Sequence, residues 1–373
     1  MPRPSLSRRL TSGTAAFALA TTAVLVPVAA ASAAPAIVRT DAGWSPYGGQ
    51  YPAYPSYPSS PGSATATTTA GLDVTAATES QSSGLVLVSS TIGYGTGTAA
   101  GTGMVLESDG LVVTNHHVVE GATSVEVTVA TTGETYDATV VGTDSRRDVA
   151  VLQLEDASGL TTVTTSTDGL STGDAITAVG DAGGDGGDLT AAAGTVTDLR
   201  DSITVSDEAG GSSDLRNLIQ IDADIIGGDS GGALLDSDGD VVGMNVAASS
   251  GTAEITGYVI PIARVLRVVD RIVAGDEGGS IVLGVGGRLG VGTSIAAGGA
   301  TVAEVADGTP AASLGLEVGD VITAVDGTAV SSSSQLSELI GGHDAGDRVT
   351  ITWTDSTGAT RSGTVTLAVG AVR

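Results

Sequence analysis

The residues around Ser230 are those expected around a serine that takes part in catalysis. Ser230 lies in the run Gly227-Gly228-Asp229-Ser230-Gly231-Gly232. Glycine adopts backbone angles that place a serine hydroxyl at the tip of a tight turn, and it lets other groups approach the backbone closely. The same composition also suits an ordinary hairpin turn. The run therefore leaves both a nucleophile and a plain turn open.

Two adjacent histidines, His116 and His117, are candidates for a general base. They lie in Val113-Thr114-Asn115-His116-His117-Val118-Val119, where an apolar strand is predicted to end. A strand end holds a side chain firmly while the side chain reaches an open cleft. A surface histidine or a hydrogen-bonded core histidine is the alternative.

Asp148 is the candidate for the acid that orients the base. It directly precedes the apolar run Val149-Ala150-Val151-Leu152, and a buried carboxylate needs a partner such as an imidazole N–H. An ordinary aspartate at a strand entry is the alternative. Together, His117, Asp148 and Ser230 suit nucleophilic attack with proton transfer through the imidazole. Their order on a β-rich chain is the chymotrypsin-like one.

The elements that must position these residues are short strands. Between residues 85 and 260, β-branched runs alternate with glycine, aspartate and threonine turns, and no long amphipathic helix interrupts them. This pattern is typical of an antiparallel barrel or sandwich. Apolar residues then recur every three or four positions over Ile262–Val273, which predicts a helix.

The composition excludes several classes of function. The 373-residue chain contains no cysteine, so a disulfide, a thiolate metal site and a cysteine nucleophile are all ruled out. Its net charge of −27 argues against nucleic acid and anionic membrane faces as partners. Its length allows two ordinary domains, whose cores must be aliphatic because only 3% of the residues are aromatic.

Residues 1–33 have the features of a secretory signal peptide. Three arginines precede an uncharged stretch, and Ala31-Ser32-Ala33 forms a small-residue cleavage site. An uncleaved membrane anchor is the alternative, because the stretch is long enough to span a bilayer. Residues 34–82 repeat tyrosine and proline, then alanine and threonine, which predicts a disordered tether. A wall-binding or partner-binding arm is the alternative there.

Glycine-rich residues 275–279 mark a boundary, after which residues 281–369 are predicted to form a second compact module. Five strands and two helices are predicted in it, with the helices at Pro310–Leu314 and Ser334–Ile340. Proline in the first turn and glycine after the end are typical of the first helix.

Residues 83–275 resemble the protease domain of the HtrA/DegP family of trypsin-like serine proteases, and residues 281–369 resemble its C-terminal PDZ domain. The resemblance implies a mostly β fold, a two-barrel chymotrypsin/trypsin-like domain followed by an α+β PDZ domain. It rests on three motifs: Thr114-Asn115-His116-His117-Val118-Val119, Asp144-Ser145-Arg146-Arg147-Asp148-Val149-Ala150-Val151-Leu152 and Gly228-Asp229-Ser230-Gly231-Gly232.

The resemblance also assigns roles to residues. The family pattern Thr-Asn-x-His-Val implies that His117 is the base, with Asp148 as its orienting acid and Ser230 as the nucleophile. The family's oxyanion hole corresponds to the backbone N–H groups of Gly228 and Ser230. Asp144 is expected to serve the turn. No cofactor and no metal are implied.

In the second module, Gly287-Arg288-Leu289-Gly290-Val291 resembles the PDZ loop that binds a C-terminal carboxylate through backbone N–H groups. Leu289, Val291, Leu336 and Ile340 would line an apolar pocket for the last side chain of the peptide. A small domain that only packs on the protease is the alternative.

Two of the positions near the nucleophile that depart from the family pattern are aspartates. Asp229 stands where many members carry asparagine. Asp224 lies six residues before Ser230, where trypsin-like enzymes that cleave after arginine or lysine carry their specificity aspartate. We therefore expect Asp224 to favour a basic residue before the cleaved bond. An outward-facing or arginine-paired Asp224 is the alternative.

The resemblance implies an exported serine endopeptidase that degrades unfolded or damaged proteins outside the cytoplasmic membrane. The PDZ domain would bind peptide C-termini and regulate access. Because the family tends to trimerise through its protease domain, a homotrimer is a candidate assembly. A chaperone (holdase) and a PDZ scaffold with a silent protease fold are the rival functions.

Overall fold

The computed structural model describes residues 74–95, 97–206, 212–246, 256–296 and 299–372. The predicted signal peptide and residues 34–73 of the predicted tether lie outside the described residues. The rest of that tether contains a strand, β1 (Val74–Ala76), and a one-turn helix, α1 (Glu79–Ser82), so a disordered tether up to residue 82 is wrong there. Backbone pairing along a sheet edge holds β1, and a capping box at Thr78 holds α1. The disorder prediction rests on the low aliphatic content of this segment, which does not indicate the strand pairing or the capping box.

The first barrel is a closed antiparallel sheet. Its hydrogen-bonded order within the described residues is β6-β5-β2-β3-β4-β7, and β7 pairs back to β6. A one-turn helix, α2 (His116–Val119), follows the fourth strand of the chain. Valines alternate with polar residues in β5, so one face packs into the barrel. The strands are β2 (Leu85–Ile92), β3 (Gly97–Glu107), β4 (Leu111–Thr114), β5 (Ala122–Val129), β6 (Thr135–Asp144) and β7 (Val149–Leu154).

The second barrel repeats this plan. Its order within the described residues is β9-β10-β13-β12-β11-β8, with β8 pairing back to β9 and β1 attached at β9. The helix α3 (Ile262–Val273) follows with the predicted bounds. Its buried face joins both barrels in one apolar cluster that includes Met104, Val113 and Met244. The strands are β8 (Ala175–Gly180), β9 (Thr190–Ser206), β10 (Ser212–Ile221), β11 (Ala233–Leu235), β12 (Val241–Val246) and β13 (Gly257–Pro261).

The β9–β10 hairpin is much longer than its sequence predicts. The apolar runs predict strands only at Gly194–Asp198 and Leu218–Ile221, but β9 extends to Ser206 and β10 begins at Ser212. Polar residues predominate in its outer part, and cross-strand bonds such as Thr204 Oγ1 to Asp214 (2.8 Å) help to hold it. Apolar runs in the sequence therefore do not predict the outer part of this hairpin.

The second module has one five-strand path, β16-β17-β18-β20-β21, with β19 beside β18 and a small pair formed by β15 and β22. The helices are α4 (Pro310–Leu314), as predicted, and α5 (Ser333–Gly341). Gly315 ends α4 with a φ of 73°, as a left-handed C-cap does. The strands are β15 (Gly287–Arg288), β16 (Val291–Ala296), β17 (Gly299–Val305), β18 (Val321–Val325), β19 (Thr328–Ala329), β20 (Arg348–Thr354), β21 (Thr360–Thr366) and β22 (Ala368–Val369).

Both ends of this module return to the first barrel. The strand β14 (Ile281–Leu283) pairs with β6, so these residues belong to the barrel sheet and not to the predicted PDZ domain. At the other end, Val372 donates to Ala122 O (2.8 Å) and packs in the barrel core. The Arg288 guanidinium lies 3.8 Å from the centre of the Tyr94 ring. In the part of the chain described here, no helix is long and apolar enough to cross a membrane.

Candidate active site

Strand register brings the predicted base and acid together. Thr114 of β4 pairs with Ala150 of β7, so the residues just after β4 lie beside those just before β7. His117 Nδ1 lies 2.9 Å from Asp148 Oδ2, and the His117 backbone N–H donates to Asp148 Oδ1 (3.0 Å). The Asn115 side chain donates to the Asp148 carbonyl (2.9 Å). Three hydrogen bonds thus fix the acid relative to the base.

These contacts set the charge of the pair. Burial of the His117 ring lowers its pKa, but the charge and hydrogen bond of Asp148 raise it by more, so the pKa of His117 lies above its usual value. Burial raises the pKa of Asp148, and His117 outweighs this effect, so that pKa lies below its usual value. With 37% of its side-chain surface exposed, His117 still faces the cleft. Asp148 is therefore an ionised partner for an imidazolium.

The turn that carries Ser230 accepts only glycine at two positions. Gly228 has a φ of 98°, and a Cβ there would lie 2.0 Å from Asp181 O. Gly231 has a φ of 85°, and a Cβ there would lie 2.1 Å from Thr102 O. Both the backbone angle and the space exclude a side chain. The glycines predicted to shape a nucleophile turn are therefore required by this backbone.

Two backbone N–H groups in this turn have no hydrogen-bond acceptor among the described residues. Within the described residues, neither the Gly228 N–H nor the Ser230 N–H donates a hydrogen bond. On the other side of the Gly227–Gly228 peptide, the Gly227 carbonyl accepts from Gly183 N–H (2.7 Å). The contact fixes which way this peptide faces. The turn can therefore offer two N–H groups to a substrate oxygen.

Thr102 holds the serine turn to the first barrel, and the sequence analysis does not identify it. Its backbone N–H donates to Ser230 O (2.8 Å), and its carbonyl accepts from Thr114 Oγ1 (2.6 Å). Its hydroxyl donates to Gly228 O (2.9 Å) and accepts from Asp181 N–H (3.0 Å). The residue is fully buried. Within the described residues, Ser230 Oγ forms no hydrogen bond with His117. Base and acid are bonded to each other directly, while Thr102 joins the serine turn to Thr114 at the end of β4.

Asp229 is a second buried carboxyl group beside the nucleophile. Its Oδ2 accepts from Ile226 N–H (2.9 Å), while the buried Oδ1 has no partner within the described residues. Burial raises the pKa of Asp229 to about 7, and the nearby Asp181 carboxylate adds to this effect. Burial also raises the pKa of Asp181, whose Oδ2 accepts from Gly186 N–H (3.0 Å). A neutral Asp229 stabilises this region because it avoids an unpaired buried charge.

The remaining residues singled out from the sequence lie ahead of the serine turn, in the second module and in the turn before β7. Asp224 is half-buried between the buried residues Ala223 and Ile225. Leu289, Leu336 and Ile340 are buried in the core cluster of the second module, where Val291 packs against them. Gly290, between Leu289 and Val291 in the sequence, has a φ of 87°. Asp144 serves its turn as predicted, because its carboxylate accepts from the Arg147 N–H (3.2 Å).

Among the described residues, no three histidine or acidic side chains cluster as ligands for an ion. Asp181 instead receives its hydrogen bond from its own loop.

Two known domain families match parts of this chain. A trypsin-like peptidase domain model matches residues 101–244, and a PDZ domain model matches residues 287–356. The chain is 30% identical to the serine protease Do-like HtrA of Lactococcus lactis over 68% of this chain and 67% of that protein. This chain belongs to the HtrA/DegP family of trypsin-like serine proteases. The predicted family and fold class are confirmed.

Two further relatives show the extent of the match. The chloroplastic Protease Do-like 1 of Arabidopsis thaliana is 34% identical over 68% of this chain and 60% of its own length. The periplasmic serine endoprotease DegP of Escherichia coli is 33% identical over 68% of this chain and 54% of its own length. The chain thus spans a little over half the length of these two HtrA/DegP proteins.

Proposed function

We propose that this chain is a serine endopeptidase in which Ser230 attacks the peptide carbonyl. The observation that carries the proposal is the double hydrogen bond of Asp148 to His117, next to a glycine turn that presents Ser230. His117 takes the serine proton and later gives it to the leaving amine. Asp148 keeps the His117 Nδ1 protonated, so that Nε2 is the basic nitrogen, and its charge stabilises the imidazolium.

The tetrahedral intermediate has a ready place for its negative charge. The backbone N–H groups of Gly228 and Ser230 lack acceptors within the described residues and serve as the oxyanion hole. Such a donor contributes about 3–4 kcal/mol to transition-state stabilisation. The Ser230 hydroxyl must still form a hydrogen bond to His117 Nε2, as catalytic hydrogen bonds often do only when substrate binds.

The substrates we propose are unfolded or damaged proteins outside the cytoplasmic membrane. Export is supported by the signal-peptide pattern of residues 1–33 and by a relative that is named periplasmic. The PDZ domain binds peptide C-termini through Leu289, Gly290 and Val291 and regulates access to the protease. A homotrimer is the assembly we propose, and a membrane anchor is the second choice for the N-terminus.

Cleavage of β-casein tests the enzyme directly. The purified chain should degrade this unfolded protein, and the Ser230→Ala variant should not. A folded wild-type chain that suppresses aggregation of an unfolded protein without cutting it would favour the chaperone. A folded chain that neither cuts nor suppresses aggregation would favour the PDZ scaffold.

Asp224 is the proposed determinant of a basic residue before the cleaved bond. Asp224 is half-buried and lies six residues before Ser230, where trypsin-like enzymes that cleave after arginine or lysine carry their specificity aspartate. Matched peptides with arginine or valine at this position measure the preference. We expect faster cleavage of the arginine peptide, with the preference lost in Asp224→Asn. A strong preference for valine in the wild type would contradict this role.

A further inference from the structure

A cavity of 710 Å³ lies behind the turn that carries Asp148, away from the serine turn. Its lining includes five of the fifteen arginines of the chain. They come from the turn before β7, from β10 and from α3, and the linker residue Ser280 completes the wall. We call it the arginine cavity, defined by Arg146, Arg147, Arg216, Arg264 and Arg271.

Three of these arginines have carboxylate partners. Arg147 pairs with the buried Asp144, Arg216 with Asp214 at 3.1 Å and Arg271 with Asp276 at 2.7 Å. The cavity therefore carries an excess of two positive charges over these three carboxylates. In a chain whose acidic residues outnumber its basic ones by 42 to 15, such an excess is unusual.

The excess belongs to Arg146 and Arg264. Arg146 is exposed and has no hydrogen bond or ion pair among the described residues. Among the described residues, the Arg264 side chain donates only to two backbone carbonyls, those of Arg216 (2.6 Å) and Asn217 (2.8 Å). Carbonyls orient its guanidinium but do not neutralise it.

The positive charges also repel each other. Burial lowers the pKa of Arg264, and the charges of Arg267 and Arg147 lower it further. An anion among these arginines would reduce the repulsion and accept hydrogen bonds from their guanidinium N–H groups. Two arginines from separate elements, neither paired with a carboxylate among the described residues, thus line the same cavity.

We propose that the arginine cavity binds a compact multivalent anion of the phosphate class. Guanidinium groups bind phosphate oxygens through paired hydrogen bonds, which gives geometric specificity. Two excess positive charges match a phosphate dianion better than a single carboxylate. The volume lies in the range of small-molecule sites.

The charge of the whole chain favours a small ligand over a polymer. A net charge of −27 repels large polyanions, whereas a compact anion enters the local positive field of the cavity. Because the cavity joins the turn of Asp148, helix α3 and the linker residue Ser280, the bound anion also stabilises the folded chain. This inference does not depend on the proposed proteolytic activity.

Calorimetric titration of the full chain with pyrophosphate tests the site. It is done in metal-free buffer at constant ionic strength, with potassium chloride as the matched salt. The variants Arg146→Gln and Arg264→Gln each remove one excess charge. Arg146→Gln removes no hydrogen bond that the described residues form, so it remains informative if Arg264→Gln fails to fold. Arg348→Gln changes an exposed arginine of β20 outside the cavity and is the control.

We expect saturable 1:1 binding of pyrophosphate, at least about tenfold weaker in either cavity variant and unchanged in Arg348→Gln. The thermal unfolding midpoint should rise with pyrophosphate in parallel. Three results would overturn the proposal: no binding beyond the chloride control, equal weakening in Arg348→Gln, or unchanged affinity in Arg146→Gln. A second arm with long-chain polyphosphate separates the sources of phosphate, since saturable binding of the polymer without pyrophosphate binding would exclude a compact ligand.

Discussion

Two buried aspartates lie at the proposed catalytic centre, and their pKa values are shifted in opposite directions. Asp148 is 6% exposed and Asp229 is 5% exposed. Asp148 receives two hydrogen bonds from His117, one to each oxygen, and its pKa lies below the usual value. Asp229 receives one from Ile226 N–H, its other oxygen has no partner among the described residues, and its pKa rises to about 7.

The difference shows that the partner, and not the burial, decides the charge. Equal burial disfavours ionisation of both carboxyl groups. Only Asp148 has a cationic partner close enough to reverse this. The first barrel thus supplies a fixed negative charge to the base, while the second barrel keeps a titratable group beside the nucleophile.

The largest expected effect comes from removing the fixed charge. Asp148→Asn should lower kcat/KM for a peptide substrate by about 10⁴-fold, because an amide does not stabilise the imidazolium and favours the wrong imidazole tautomer. Steady-state kinetics measure the loss, with circular dichroism to establish the fold. A decrease of less than tenfold in a folded variant would mean that Asp148 does not serve His117.

Replacing the Asp229 carboxyl group should change how the stability of the chain depends on pH. The pKa of Asp229 is raised in the folded chain, so the folded state binds the proton more tightly than the unfolded state. Between about pH 4 and pH 7, Asp229 therefore lowers the free energy of unfolding as pH rises. Asp229→Asn should remove this decrease and stabilise the chain at pH 8, by at most roughly 4 kcal/mol.

Urea unfolding at several pH values measures that difference. Asp236→Asn, in the exposed turn after β11, is a suitable control because this carboxylate accepts from local N–H groups only. The same pH dependence in wild type and Asp229→Asn would show that Asp229 is ionised or exposed in solution.

The third prediction concerns the base itself. The pKa of His117 should lie above 6.5, because Asp148 favours its charged form. The chain has only three histidines, so NMR titration resolves the ring directly. The kcat/KM of the enzyme should rise with pH as His117 loses its proton, with a midpoint above 6.5. A His117 pKa unchanged in Asp148→Asn would contradict the pairing.

The smallest expected effect comes from Thr102, which joins the two barrels. Thr102→Val keeps the shape but removes the hydroxyl that bonds Gly228 O and Asp181 N–H. The two bonds together contribute roughly 2 kcal/mol, so kcat/KM should fall by up to about 30-fold. Thr128→Val removes a hydroxyl pair with Thr135 on the barrel exterior and is the matched control. Equal effects of the two variants would remove Thr102 from the positioning of the serine turn.

The sequence predicts those features that depend on local pattern. Helix α3 has its predicted bounds, α4 ends at Gly315, and the motifs place His117 and Asp148 where strand register joins them. These features rest on hydrophobic periodicity, capping residues or family motifs, all of which a single segment carries.

Contacts between residues from distant segments of the chain could not be predicted from the sequence. Thr102 joins Gly228, Asp181 and Thr114, which lie on three other segments of the chain. The raised pKa of Asp229 depends on burial against the loop of Asp181, and the arginine cavity gathers four segments. Residue type alone predicts none of these contacts, because each depends on the folded arrangement of both barrels.

Fluorophosphonate labelling, followed by peptide mapping, tests the central claim most directly. The account predicts one label per chain, located on Ser230, with labelling of folded His117→Ala and Asp148→Asn slowed by orders of magnitude. A label on another residue, or labelling of Ser230 that is equally fast in folded His117→Ala, would contradict the proposal that His117 and Asp148 activate this serine.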